Sequence, residues 1–231
     1  MIIPRNSQIS VLIAITLIAL VASGLFYFLT FAPPREVVIT NNNGSSVSIA
    51  WISKKPEVGK IYYSNNPILL YFLPFTFPKL LSISESVSSV NHRVTLSNLD
   101  SKSTYSFIIS SGFHNYHIYQ SSQYENKGKI VQSSKMTILP KIAMDKNLAK
   151  KYITIKGKVL DAKNNSIFNA LVTSYNLDGA VFSSLTNANG NFELSLPAIS
   201  TIGLIKIQNG AKQKTIMITP KSLNKFFTIN L

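Results

Sequence analysis

The chain has 231 residues, 45% of them hydrophobic, and carries 23 Lys+Arg against nine Asp+Glu for a formal net charge of +14. The length allows an N-terminal segment followed by one large β domain or two of about 100 residues each. Having no cysteine, the chain is without disulfides, thiolate metal sites and thiol nucleophiles; its many Asn, Ser, Thr, Ile, Val and Tyr residues favour strands and turns.

Residues 1–8 form a short stub containing Arg5, and residues 9–31 (ISVLIAITLIALVASGLFYFLTF) are free of charge. About 20 apolar residues suffice for a helix to cross a bilayer. Phe26, Tyr27, Phe28 and Phe31 crowd the far end as interfacial aromatics do, and Pro33-Pro34 stops the helix. The expectation is an uncleaved transmembrane signal-anchor over 9–31, with a cytoplasmic N-terminus and the remaining chain extracytoplasmic. A cleaved signal peptide ending at Ala22-Ser23-Gly24 is the alternative, disfavoured by the length of the apolar run.

Short alternating strands follow at 36–40 (EVVIT), 46–53 (SVSIAWIS), 58–64 (VGKIYYS), 90–96, 105–111 and 130–138, separated by turn clusters such as Asn41-Asn42-Asn43-Gly44. Val47, Ile49 and Trp51 share one face of the second strand. The pattern predicts an antiparallel sandwich over 35–140. Several of its residues resemble a fibronectin type III domain of the bacterial surface type: Pro33-Pro34, then Trp51, then Lys55-Pro56 with Gly59, Ile61 and Tyr63, and finally Leu99 with Tyr105. The Pro and Gly of the family's tyrosine corner are missing. The resemblance implies that Tyr105 bonds the crossing backbone with Leu99 beneath it, and it implies a fold rather than a function.

Residues 65–88 are an insertion relative to that pattern. Within it, Leu69, Leu70, Tyr71, Phe72, Leu73, Phe75, Phe77, Leu80 and Leu81 make an apolar run interrupted by Pro74, Thr76, Pro78 and Lys79. The prolines exclude a regular helix or central strand, and the run is too short to span a bilayer. One reading is a strand over 68–73 and a loop covering the sandwich edge; the other is an exposed tip for lipid or a protein partner. If 68–73 is the fourth strand, topology puts this tip beside Lys54, Lys55 and the loop 112–129, at the end nearest the membrane. That grouping makes Leu69, Leu70, Tyr71, Phe72, Phe75, Phe77, Leu80, Leu81, Lys54 and Lys55 the candidate membrane or partner contacts. His114 and His117 lie three apart in that loop, a spacing that suits a metal on a helix but not on a strand.

Residues 141–151 (KIAMDKNLAKK) read as a basic linker. Seven more alternating segments over 152–231 predict a second sandwich. Gly157, Val159 and Asp161, then Ala170 and Val172, then Thr186, Asn187, Gly190, Phe192 and Leu194 resemble the carboxypeptidase regulatory-like (transthyretin-like) β-sandwich, whose known members are non-catalytic accessory modules. Asn187 stands where that family commonly has Asp, which argues against a cation in the turn. Trp51, Leu99, Tyr105, Gly157, Gly190 and Phe192 are accordingly expected to be structural.

The expected architecture is all-β: two tandem antiparallel, immunoglobulin-like β-sandwiches behind an N-terminal transmembrane helix, the second projecting beyond the first. The nine carboxylates (Glu36, Glu57, Glu85, Asp100, Glu125, Asp145, Asp161, Asp178 and Glu193) show no local pairing for acid–base work, and no nucleophile or phosphate-loop motif occurs. No enzyme activity, catalytic residue, cofactor or metal is therefore expected. The charge favours an anionic envelope polymer, while scattered lysines and three arginines disfavour nucleic acid. Expected roles are adhesion, binding or spacing at the cell envelope. The alternative is an accessory subunit of a secretion or appendage complex, docked through the anchor and the Leu69–Leu81 run.

Overall fold

The computed structural model describes residues 13–24, 33–66, 81–100, 103–111, 114–117, 135–137, 152–176, 181–197, 203–219 and 225–231. Residues 13–24 form a helix, α1, whose Ile18 and Leu20 are among its largely exposed apolar side chains. Among the described residues no helix is long and apolar enough to cross a membrane. The rest of the expected 9–31 span, the linker 141–151 and the proposed strand 68–73 lie outside the described residues.

Pro34–Leu231 is one compact unit, distinct from Met1–Pro33. Its first half contains β1 (Arg35–Thr40), β2 (Val47–Glu57), β3 (Gly59–Ser64), β4 (Leu81–Ser84), β5 (Ser89–Leu96), β6 (Thr104–Ser111), β7 (His114–His117) and β8 (Lys135–Thr137). One sheet runs β1-β2-β5; the other runs β4-β3-β6-β7, with β8 also pairing β6. Val47, Ile49 and Trp51 meet Ile61, Phe107, Ile109, Val94 and Leu96 between the two sheets, all of them buried. Two irregularities in pairing mark this half. Between Ile52 and Glu57 the register of β2 on β5 shifts, so residues 53–56 bulge out around Pro56, which has no N–H to give a ladder. The register of β1 on β2 shifts between Arg35 and Val38, where Glu36 takes a φ of 52°.

The second half contains β9 (Tyr152–Leu160), β10 (Leu171–Tyr175), β11 (Val181–Leu185), β12 (Asn191–Pro197), β13 (Leu204–Asn209), β14 (Lys212–Met217) and β15 (Phe226–Asn230). The sheets are β11-β10-β13-β14 and β12-β9-β15. Ile155, Val159, Val172, Phe192, Leu194, Ile205 and Ile207 fill the space between them. The expectation of purely antiparallel pairing fails at one place: β15 lies parallel to β9. The chain changes sheets between β14 and β15, so no hairpin dictates the direction of the last strand.

Two glycines are fixed by this packing. At Gly157 a Cβ would sit 2.6 Å from the Phe192 ring and from the Phe227 carbonyl oxygen. Gly190 adopts φ +75° in a turn whose Asn187 Oδ1 accepts the N–H groups of Asn189 and Asn191. Asp161 organises the turn after β9 in the same way, taking the N–H groups of Lys163 and Asn165 and the Asn165 amide. The Asn165 side chain and these N–H groups hold its exposed carboxyl below the usual range.

The arrangement of the two sandwiches differs from a projecting tandem. The outer face of β1-β2-β5 packs on the outer face of the β10, β11 and β13 strands. Val38, Ala50 and Leu171 form a buried apolar cluster there, with Leu185 against it. Strand β2 is consequently buried on both faces: Ser48 and Ala50, which alternate with the core residues, are each 0% exposed.

Candidate functional site

Polar side chains surround that small apolar contact and join strands far apart in sequence. Asn41, with φ 53°, turns its side chain along β11: its amide nitrogen donates to the Ser183 carbonyl at 3.0 Å and its Oδ1 accepts the Ser183 N–H at 2.7 Å. The Thr40 and Ser183 hydroxyls are 2.6 Å apart. Asn91 donates to the Asn169 carbonyl and to Asn209 Oδ1, and accepts the Gly210 N–H. Glu36 receives both Lys206 and Gln208. Its left-handed backbone, a cost of about 1–3 kcal/mol, is thus held by an ion pair and a hydrogen bond across the interface. Nearby Tyr175 has its phenol pushed up to about 12, first by burial and then by the Glu36 charge.

At the edge of this interface a groove of about 390 Å³ opens between the sandwiches. It is lined by Glu85, Ser86 and Val87, by Arg93 and Thr95 of β5, and by Phe168, Asn169 and Leu185 of the second sandwich. Arg93 comes from the interface face of β5 because it is two residues on from Asn91, which bonds the second sandwich. The Arg93 Nε–H donates to the Ser183 hydroxyl at 3.1 Å. Among the described residues Arg93 makes no ion pair with a carboxylate. Burial pulls its guanidinium below the ordinary arginine range.

Behind the groove a buried polar array closes the end of the first sandwich. Glu85 Oε1 accepts the backbone N–H of Arg93 at 2.8 Å, and Oε2 lies 2.5 Å from His92 Nδ1 and 3.2 Å from the Gly59 nitrogen. His92 Nε2 lies 3.0 Å from the Ser53 hydroxyl, which donates to the Lys55 carbonyl at 2.6 Å. The His92 ring stacks on Trp51, centroids 4.8 Å apart. Ser53, His92 and Glu85 follow the hydrogen-bond order of an acyl-transfer relay. Here Ser53 is 3% exposed and His92 0%, and the hydroxyl proton is turned to Lys55, so no substrate carbonyl reaches the oxygen. The array instead fastens the β2 bulge to the β4–β5 turn. A Cβ on Gly59 would lie within 2.7 Å of Glu85, Trp51 and His92, so the backbone approach needs glycine. Glu57, beside the array with a buried Oε1 lacking a hydrogen-bond partner, has its carboxyl raised chiefly by desolvation.

The sequence-derived candidates separate into distinct places. Lys54 and Lys55 are exposed on the β2 bulge. Leu81 is 53% exposed at the start of edge strand β4, where it pairs with Tyr63. Leu69, Leu70, Tyr71, Phe72, Phe75, Phe77 and Leu80 lie outside the described residues. Leu81 thus sits at the Ser64 end of β3. Arg35 and Lys54-Lys55 lie at the opposite end of the sandwich, near Glu57 and Ser89. Leu81 and the lysines, the described members of the expected grouping, therefore lie at opposite ends of the sandwich. His114 and His117 lie on β7 rather than in a loop, paired with Ser111 and Ile108. Tyr105 and Leu99 are buried in the first core, and the Tyr105 hydroxyl accepts the Asp100 N–H at 3.1 Å. Arg93, Glu85, His92 and Ser53 escaped the sequence reading. The one signal was the lone arginine in an alternating strand, at a position shared with Asn91 and Thr95.

No family model matches the sequence, and no curated protein matches it. Similar solved structures include the fibronectin type III domain of the human collagen alpha-1(XX) chain, at 16% identity and a TM-score of 0.25, covering 46% of this chain and 79% of that one. A segment of two fibronectin type III domains from chicken tenascin has 10% identity and a TM-score of 0.24, over 80% of this chain and 98% of that one. The major pilin subunit of Bacillus cereus has 9% identity and a TM-score of 0.25, over 86% and 70%.

Proposed function

We propose that the chain is a non-catalytic, membrane-anchored surface protein whose paired sandwiches act in adhesion, binding or spacing at the cell envelope. The observation that carries this reading is the hydrogen-bonded face joining the two sandwiches into one compact unit, with an open groove at its edge. Such a head holds a binding surface in a fixed orientation. The uncharged run 9–31 supplies the single span, with residues 1–8 cytoplasmic and the head extracytoplasmic. The domains are a fibronectin type III-like sandwich over 35–140, a linker over 141–151 and a carboxypeptidase regulatory-like sandwich over 152–231. The partner is an anionic envelope polymer, drawn by the +14 net charge.

Two measurements test this. Protease added to intact cells should cleave the head and spare the N-terminal stub; a head protected until the cells are lysed would refute the placement. The full chain in detergent should co-sediment with isolated envelope polymer, and the binding should fall steeply between low and moderate salt. The second reading, a subunit of a secretion or appendage complex, is favoured by the exposure of Leu81, the last residue of the apolar run in sequence. It predicts binding that resists salt.

A further inference from the structure

We propose that the groove between the sandwiches is a saccharide subsite in which Arg93 grips the carboxylate of an acidic sugar. This deepens the anionic-polymer reading above and rests on it for the biological source of the sugar.

Three observations support the assignment. The first is the state of Arg93. Among the described residues its side chain has one hydrogen bond, from Nε to Ser183 Oγ, and no ion pair with a carboxylate. Removing a guanidinium from water without a counter-charge is costly, and a bound anion relieves that cost. The planar fork fits a carboxylate with two parallel hydrogen bonds.

The second observation is that Glu85, the acidic residue lining the groove, is already engaged. Both its oxygens are held by His92, the Gly59 nitrogen and the Arg93 backbone N–H, on the array behind the groove. Its carboxylate is thereby directed to the array while the Arg93 side chain is tied to the second sandwich. The Ser183 bond also fixes the guanidinium, so little side-chain freedom remains to be lost on binding.

The third is the lining. The volume of about 390 Å³ lies at the lower end of the range for small-molecule sites. Phe168 is 49% exposed and offers a ring for the apolar face of a pyranose. Exposed Ser84 and Ser86, together with Asn169, supply donors and acceptors for sugar hydroxyls. An apolar ligand would leave these groups and Arg93 desolvated and unpaired, while a bare inorganic anion would leave Phe168 unused. A carboxylate carried on a sugar ring uses both.

The test is calorimetric titration of the full chain in detergent at low salt with glucuronate, glucose, acetate and inorganic sulfate. Glucuronate should bind at least about tenfold more tightly than glucose or acetate. Arg93→Gln should weaken glucuronate about ten- to hundredfold, the worth of a charge-assisted pair. Arg93→Lys, which keeps charge but loses the fork, should fall between the two, and exposed Phe168→Ala should weaken glucuronate without changing thermal unfolding. Trp51 fluorescence checks that each variant is folded. Sulfate binding as tightly as glucuronate would reduce the site to a non-selective anion site and overturn the proposal, as would glucuronate affinity unchanged in Arg93→Gln. Envelope binding that persists while glucuronate fails to bind would refute the groove and leave the polymer reading standing. Glucuronate binding without envelope binding would support the groove and refute that reading.

Discussion

Leu171→Ala tests the energetic role of the face between the sandwiches. Leu171 is 1% exposed and packs with Val38 and Ala50 in a cluster that belongs to neither sandwich core. Buried Leu→Ala substitutions cost about 2–5 kcal/mol, according to how far the site can collapse. This cluster is small and its Leu185 also lines the open groove, which leaves the site room to relax, and about 2–3 kcal/mol is expected. At a urea slope of about 2 kcal/mol per M, the midpoint should fall by about 1 M or more. The assay has a built-in divider, because the single tryptophan, Trp51, lies in the first core while far-UV circular dichroism reports both sandwiches. In the parent the two signals should change together, as one cooperative unit. Leu171→Asp, which places a charge in the same contact, should pull the two transitions apart. A Leu171→Ala midpoint equal to the parent's, with coincident transitions in Leu171→Asp, would refute the coupling.

Three further outcomes are expected. Tyr105→Phe removes the hydroxyl that accepts the Asp100 N–H and should destabilise by about 1 kcal/mol in equilibrium unfolding; no change would mean that water replaces the bond without cost. Gly59→Ala places a methyl against Glu85, Trp51 and His92, so a loss of about 1–3 kcal/mol should accompany a shift in Trp51 emission. Glu57 is linked to pH with a definite sign. Its folded carboxyl is raised, so the stability it contributes is full below the unfolded carboxyl's range and is lost as pH rises through the folded value. Glu57→Gln should therefore exceed the parent in stability at neutral pH and lose that advantage in acid. A difference independent of pH would contradict this.

Much of the fold was legible because solvent enforces alternation on half-buried strands. Val47, Ile49 and Trp51 announced a core face, and each segment read as a strand in 152–231 has its counterpart in β9 to β15. Strand β4 was obscured because Leu81–Ser84 is only four residues long and follows a proline-broken apolar run that looked more like a strand. The joined faces were harder to see. Ser48, Ala50, Thr40 and Ser183 are small and uncharged, which suits close sheet packing, yet such residues also occur on ordinary solvated faces. The groove depends on contacts such as Arg93 with Ser183, 90 positions apart, and no local pattern encodes a partner at that separation. His92 illustrates a further limit. A histidine in an alternating strand reads as solvated until cross-strand pairing sets it opposite Trp51 and the β2 bulge brings Ser53 against it.

The face-to-face joining of the sandwiches underlies both the proposed head and its groove, and one measurement addresses it directly. The chain has no cysteine of its own, so a Thr40→Cys/Ser183→Cys pair can be introduced without background. The parent hydroxyls are 2.6 Å apart, with chain positions separated by 143 residues. Mild oxidation of the double variant should give rapid, near-complete intramolecular disulfide, seen as a mobility shift in denaturing gels that reductant reverses. Free thiols persisting under the same oxidation in the folded protein would show that the two faces do not meet.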